Sequence, residues 1–154
     1  MENQMKILLK ASGIALLIMA LVGCASSPKH NMNNPIFYCE IPVKDIDRAM
    51  AFYSMVFEFE LEKQSIDGNE MALFPYTAGV EGATGALAQG DSYKPSLDGS
   101  RIYFSTLDID STLGRVTKGG GKILYPKTDV GDYGFVAEFE DSEGNRIALH
   151  MKKN

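Results

Sequence analysis

The sequence predicts an α+β fold built from two copies of a βαβββ module. Three observations predict it. Asp45-Ile46-Asp47 returns as Asp108-Ile109-Asp110, each ahead of a helical pattern. Short runs of period-two alternation surround each helical stretch. Glycine clusters punctuate the chain where strands must turn back: Gly68-Asn69, the loop Gly79 to Gly85, Gly119-Gly120-Gly121, and Ser142-Glu143-Gly144-Asn145.

The first module begins with a strand from Ile36 to Pro42. Phe37, Cys39 and Ile41 share one face, and Tyr38 and Glu40 share the other. Asp45 is placed to cap a helix from Ile46 to about Phe57, with Ile46, Ala49, Met50, Phe52, Tyr53 and Val56 at helical spacing. Strands over Phe57–Lys63, Glu70–Tyr76 and Gly85–Gln89 follow. The second module repeats the order with a strand at Arg101–Leu107 and a helix that stops at Gly119. Strands at Lys122–Tyr125, Tyr133–Glu140 and Asn145–Met151 complete it. Phe37, Cys39 and Ile41 are expected beneath the first helix, and Ile102 and Phe104 beneath the second.

Ahead of the modules, Lys6 and Lys10 precede an apolar run from Ala11 to Val22, and Leu21-Val22-Gly23-Cys24 closes it. The run is well short of the about 20 residues that a membrane span needs. Charged, apolar and small-residue segments in that order make a secretory signal. With cysteine just after the cut, it resembles a bacterial lipoprotein signal ending in a lipobox. The resemblance implies that residues 1–23 are removed, that the Cys24 thiol takes a diacylglycerol, and that the new amine is acylated. At about 0.8 kcal/mol per buried CH₂, several acyl chains hold a domain on a membrane durably. Ala25 and Ser26 stand where an Asp favours the inner membrane. This implies an outer-membrane anchor facing the periplasm if the source is Gram-negative. Residues 24–34, rich in Ser and Asn, read as a tether, and residues 35–154 as the folded domain.

The 154-residue chain carries a formal net charge of −5. Residues 1–23 contribute Lys6 and Lys10 against Glu2, so the mature chain is more acidic still. That argues against nucleic acid or anionic lipid as a partner. Cys39 is the only cysteine besides Cys24, so the domain has no disulfide framework; an apolar setting makes Cys39 a small core residue. His30 falls in the tether. Gly79 to Gly85 is no phosphate loop, because it leads into a strand. Ser105 and Ser142 have no nearby histidine in sequence, so a hydrolase triad lacks support.

The runs Ile41-Pro42-Val43-Lys44-Asp45, Ala51-Phe52-Tyr53, Gly119-Gly120-Gly121-Lys122-Ile123 and Glu140-Asp141-Ser142-Glu143-Gly144-Asn145-Arg146-Ile147 make the chain resemble the vicinal oxygen chelate superfamily. That group holds glyoxalase I, bleomycin-resistance proteins and extradiol dioxygenases. Ser142 stands where the family's last hairpin usually has proline. The resemblance covers residues 36–151. It implies that the two modules form an open-sided curved barrel with helices outside and a ligand in the concave interior.

Catalytic relatives hold a divalent metal through His, Glu or Gln on the inner strands. Carried over one at a time, those positions fall on Tyr38, on Arg101 (or Ile102), on Ala148, and within Gly85–Gln89, where only Gln89 has a donor. No metal or other cofactor is therefore expected. Glu40, Gln89 and His150 are the residues from which a metal site could still be assembled; the plainer reading puts His150 at the barrel rim. Glu40 is either paired with a base such as Arg101 or Arg146, or open to a ligand. The expected pocket lining is Tyr38, Glu40, Gln89, Arg101, Tyr103, Tyr133 and His150. The resulting expectation is a membrane-tethered small-molecule-binding lipoprotein, with a homodimer left open. The alternatives are a degenerate glyoxalase-like lyase or isomerase, and a structural or partner-binding lipoprotein.

Overall fold

The structure, a computed structural model, describes residues 35–153. The signal-like segment 1–23, Cys24 and the rest of the tether to residue 34 lie outside the described residues. Among the described residues, no helix is long and apolar enough to cross a membrane.

In the first module, β1 (Tyr38–Pro42) leads to α1 (Ile46–Phe57), then to β2 (Glu62–Ile66), β3 (Asn69–Leu73) and β4 (Thr84–Gln89). Asp45 caps α1 as expected: its backbone is extended and its carboxylate accepts the Arg48 amide at 3.0 Å. This satisfies one of the amides that a helix start leaves without a partner. Phe57–Lys63 differs from the expected strand. Glu58 adopts a left-handed backbone, φ 58°, and its N–H donates to the Ser54 carbonyl at 2.9 Å. The chain then turns inward, so Phe57, Phe59 and Leu61 pack on the core instead of alternating along a sheet. The turn between β2 and β3 is Asp67-Gly68, not Gly68-Asn69. Both residues have positive φ (49° and 75°) and Ile66 pairs with Asn69, the geometry of a two-residue hairpin turn. The strand after it stops at Leu73, ahead of Pro75, whose missing N–H cannot extend a ladder.

In the second module, β5 (Tyr103–Ser105) is followed by α2 (Ile109–Lys118), β6 (Lys122–Asp129), a 3-10 turn (Gly131–Tyr133), β7 (Phe135–Glu140) and β8 (Arg146–Met151). Tyr133 thus lies in a turn, not a strand. β6 runs past Pro126 because it is an edge strand with irregular register.

The two sheets have the same plan, β1-β4-β3-β2 and β5-β8-β7-β6, with one parallel pair in each. They remain two four-stranded sheets and do not close into a barrel. The helix-side faces of both sheets share one core, which includes Ile41, Phe52, Tyr53, Leu87, Phe139 and Leu149. Two expected core residues are placed otherwise. Phe37 precedes β1 and is 79% exposed. Ile102 lies outside β5 and is half-buried, its carbonyl accepting the Ala148 amide. Phe104 does enter the core, but it stacks on Phe57 of the first helix at 4.4 Å and meets Phe74 edge-on. The modules therefore interlock.

Candidate functional site

Strand alternation leaves each sheet one face turned away from the shared core. On the first sheet that face carries Tyr38 and Glu40 of β1, opposite Thr84 and Ala86 of β4. Met71, Ala86 and Ala88 form a small apolar floor there, and Tyr93 packs against it. The Tyr93 N–H donates to the Gly90 carbonyl, which folds the loop after β4 back over the strands. The Tyr93 hydroxyl then donates to Glu40 Oε2 at 2.6 Å. That bond, followed by partial burial and the Glu40 charge, holds the Tyr93 phenol above its ordinary value. Burial and Glu40 raise Tyr38 in the same way. Glu40 thus meets a tyrosine, and neither Arg101 nor Arg146.

On the second sheet the outward face is read off the register. Tyr103 lies opposite Ala148, Ala148 opposite Glu138, and Glu138 opposite Tyr125. In the next row, Ser105 lies opposite His150 and His150 opposite Val136. Arg101 Nε donates to Glu138 Oε1 at 3.1 Å and Arg146 Nε donates to Oε2 at 2.6 Å. Burial pushes the Glu138 carboxyl up, but the two guanidiniums outweigh it and hold the group below its ordinary value. His150 Nε2 is 2.6 Å from the Tyr133 carbonyl oxygen, so its N–H is spent on that turn, and Tyr133 is 82% exposed.

The expected lining is therefore distributed over several places. Tyr38 and Glu40 share the first sheet's face; Arg101, Tyr103 and His150 share the second's, with Tyr133 at its end. Gln89 belongs with neither. It pairs with Glu70 on the helix side of β4, and its Oε1 accepts the Ile46 amide at 2.7 Å, securing the start of α1. It also borders a concavity of about 430 Å³ with Val43, Lys44, Tyr93, Lys94 and Pro95. Sequence reasoning missed Tyr93, Tyr125 and Glu138, and weighed Arg146 only as a partner for Glu40. Glu138 had a signal: Phe135, Ala137 and Phe139 alternate with it, which turns it outward. Tyr93 had none, because only the turn geometry returns it to the sheet.

The profile of the Glyoxalase/Bleomycin resistance protein/Dioxygenase superfamily matches residues 36–149. The chain belongs to this superfamily. A glyoxylase-like domain-containing protein of Didymella fabae is 29% identical over 114 residues, 71% of this chain and 88% of that protein. Among solved structures, the glyoxylase/bleomycin resistance protein/dioxygenase domain from Frankia sp. superimposes with a TM-score of 0.60 at 16% identity, covering 78% of this chain and 98% of that one. TnmS3, an antibiotic binding protein from Streptomyces sp., gives 0.57 at 24% identity over 78% and 97% of the two chains. A glyoxalase I mutant from Zea mays gives 0.58 at 19% identity. This chain covers 46% of that protein, under half its length, and 76% of its own residues are matched.

The superfamily's metal chemistry can be tested against the residues present. Arg101 brings positive charge, Ala148 has no donor atom, and the Gln89 oxygen is committed to the Ile46 amide. Glu40 holds Tyr93, and His150 lies on the other sheet against the Tyr133 carbonyl. Among the described residues no three His, Cys, Asp or Glu side chains are grouped to hold a metal ion. The donors of one chain do not fit a catalytic metal.

Proposed function

We propose that this superfamily member is a lipid-anchored protein that binds a small molecule on its outward sheet faces, without a catalytic metal. The observation that carries the reading is the second sheet's outward face, where Tyr103 and Tyr125 flank a fixed cluster of charges. Tyrosines there present flat, rigid, amphipathic surfaces suited to a planar ligand. The fold shared with an antibiotic binding protein supports the same reading.

The anchor rests on the segment from Lys6 to Cys24. In this reading residues 1–23 are removed, 24–34 tether the protein through the lipid on Cys24, and 35–154 bind. The protein then sits in the cell envelope, at the outer membrane facing the periplasm if the source is Gram-negative. Neither sheet roofs the other's face: Tyr38 is 38% and Tyr103 51% exposed. The reading includes a homodimer in which a second copy covers these faces.

Native mass spectrometry of the mature protein from its own host tests the reading. The expected spectrum shows a diacylated or triacylated dimer with a retained organic mass and no stoichiometric metal. A metal held through Glu40 or His150 would restore the lyase or isomerase alternative. A ligand-free monomer would favour a structural role.

A further inference from the structure

Two guanidiniums and one carboxylate leave a surplus positive charge on the second sheet's outward face. Arg101 and Arg146 reach Glu138 only through Nε, one to each carboxylate oxygen. Their Nη groups make no hydrogen bond to any described residue, so most of each guanidinium's five N–H donors stay free. The Glu138 side chain is 15% exposed, while those of Arg101 and Arg146 are 37% and 31% exposed. The anion is sunk and the cations stand above it. Glu140 lies opposite Arg146 and Lys122 opposite Glu140, so these two further charges offset each other.

A structural role needs only one arginine to neutralise the shielded Glu138 carboxylate, and the second brings a surplus cation against the first. A binding role accounts for it well. Glu138 pins both guanidiniums before any ligand arrives, so little side-chain freedom remains to be lost on binding. Forked donors on a planar cation suit a carboxylate, which has two oxygens in one plane. Tyr103 and Tyr125 stand at either end of the row that contains Glu138.

We propose that Arg101 and Arg146 form a carboxylate-recognition pair, and that the ligand is a planar aromatic monoanion seated between Tyr103 and Tyr125. This rests on the small-molecule reading and names its ligand class. The test titrates the full chain, purified in detergent, with 2-naphthoate and with the neutral 2-naphthamide, following the arginine Nε–H signals by NMR. Naphthoate should bind about tenfold more tightly than the amide and weaken steeply with salt. Arg101→Gln and Arg146→Gln should each weaken naphthoate about fivefold or more and leave the amide unchanged. Arg101→Lys and Arg146→Lys keep the charge and lose the forked donors, so each should bind naphthoate more weakly than the parent and more tightly than its Gln variant. A purely structural cluster predicts that none of these four variants changes the ratio of naphthoate to amide binding. Equal binding of the two probes overturns the anion inference and leaves the small-molecule reading standing. Binding of neither probe also overturns the inference, and the native mass spectrum then judges the binding reading by itself.

Discussion

Asp141, Glu143 and Asn145 join the two modules through hydrogen bonds. All three are buried, and so is Tyr53. Asp141 Oδ1 accepts the amides of Glu143 and Asn145, and Oδ2 accepts the Tyr53 hydroxyl and Asn145 Nδ2, all at 2.8 Å. Asn145 Nδ2 also donates to the Pro42 carbonyl. Glu143 accepts the amides of Lys44 and Asp45 and the paired Nε and Nη2 donors of the Arg48 guanidinium. One hairpin thus caps the first module's helix from the second module. Tyr53→Phe removes a buried donor from Asp141 and should cost about 1–2 kcal/mol, read as a drop of several degrees in thermal midpoint. Glu143→Gln turns an NH₂ toward either the guanidinium or the two amides, and should cost about 2 kcal/mol by urea unfolding. The pH dependence follows from the same groups. Burial raises Glu143, but Arg48 and the Lys44 and Asp45 amides overcome it and hold the carboxyl below its ordinary value. Glu138 is likewise depressed. A depressed carboxyl stabilises above its unfolded value of about 4.3, and that contribution is lost as pH falls through the folded value. Urea midpoints should therefore hold between neutral pH and about 5 and fall below about 4.3, less steeply in Glu143→Gln. Tyr53, raised well above its ordinary value by burial and then by Asp141, works at the other end: its contribution fades as pH climbs past about 10. The hairpin motif was legible in sequence as a turn. Its partners were not, because Tyr53 and Arg48 lie some 90 residues away, and hydrogen bonds across that distance leave no periodic trace.

At the scale of elements, the sequence reading succeeds where local chemistry decides and fails where the core overrides it. Both helices begin at the residue after their capping aspartate, because Asp45 and Asp108 each accept an amide three residues on. Phe57, Phe59 and Leu61 alternate as a strand would, yet the left-handed Glu58 turns them onto the core, and Phe57 and Phe59 stack with planes 7° apart. Period two records only that alternate residues are apolar; it does not record what buries them. The same limit put Phe104 beneath its own module's helix, whereas its ring completes the aromatic cluster of the other module. The glycine run after α2 was legible as a stop, but its tightness was not. A Cβ on Gly121 would lie 2.7 Å from Val116 Cγ1, 2.8 Å from the Glu140 carbonyl oxygen and 3.0 Å from Phe52 Cζ. Gly121→Ala should therefore force α2 and α1 apart and cost about 1–3 kcal/mol, measured as a shift in urea midpoint at unchanged slope. A variant as stable as the parent would show that β6 can shift to make room.

At the scale of the molecule, seven residues expected in one pocket are distributed over two sheet faces and a helix start. Alternation correctly turned Tyr38, Glu40, Tyr103 and His150 away from the core. It could not say whether the two faces meet, because strand pattern is blind to how one sheet packs on another. The chain satisfies its core by sharing it between modules, and the outward faces keep exposed tyrosines. Held at a surface as proposed, such a protein would exchange free diffusion for tethering and meet other copies at a raised local concentration. The proposed anchor depends on one atom, the Cys24 sulfur, since serine in its place offers no thiol to form the thioether. In cells fed radiolabelled palmitate, the wild-type chain should carry label, run shorter than its precursor and sediment with membranes. Cys24→Ala should lose the label and accumulate as a longer precursor, with the folded domain intact by circular dichroism. Undiminished label on Cys24→Ala would remove the anchor from the proposal and leave the two faces to find their partner in solution.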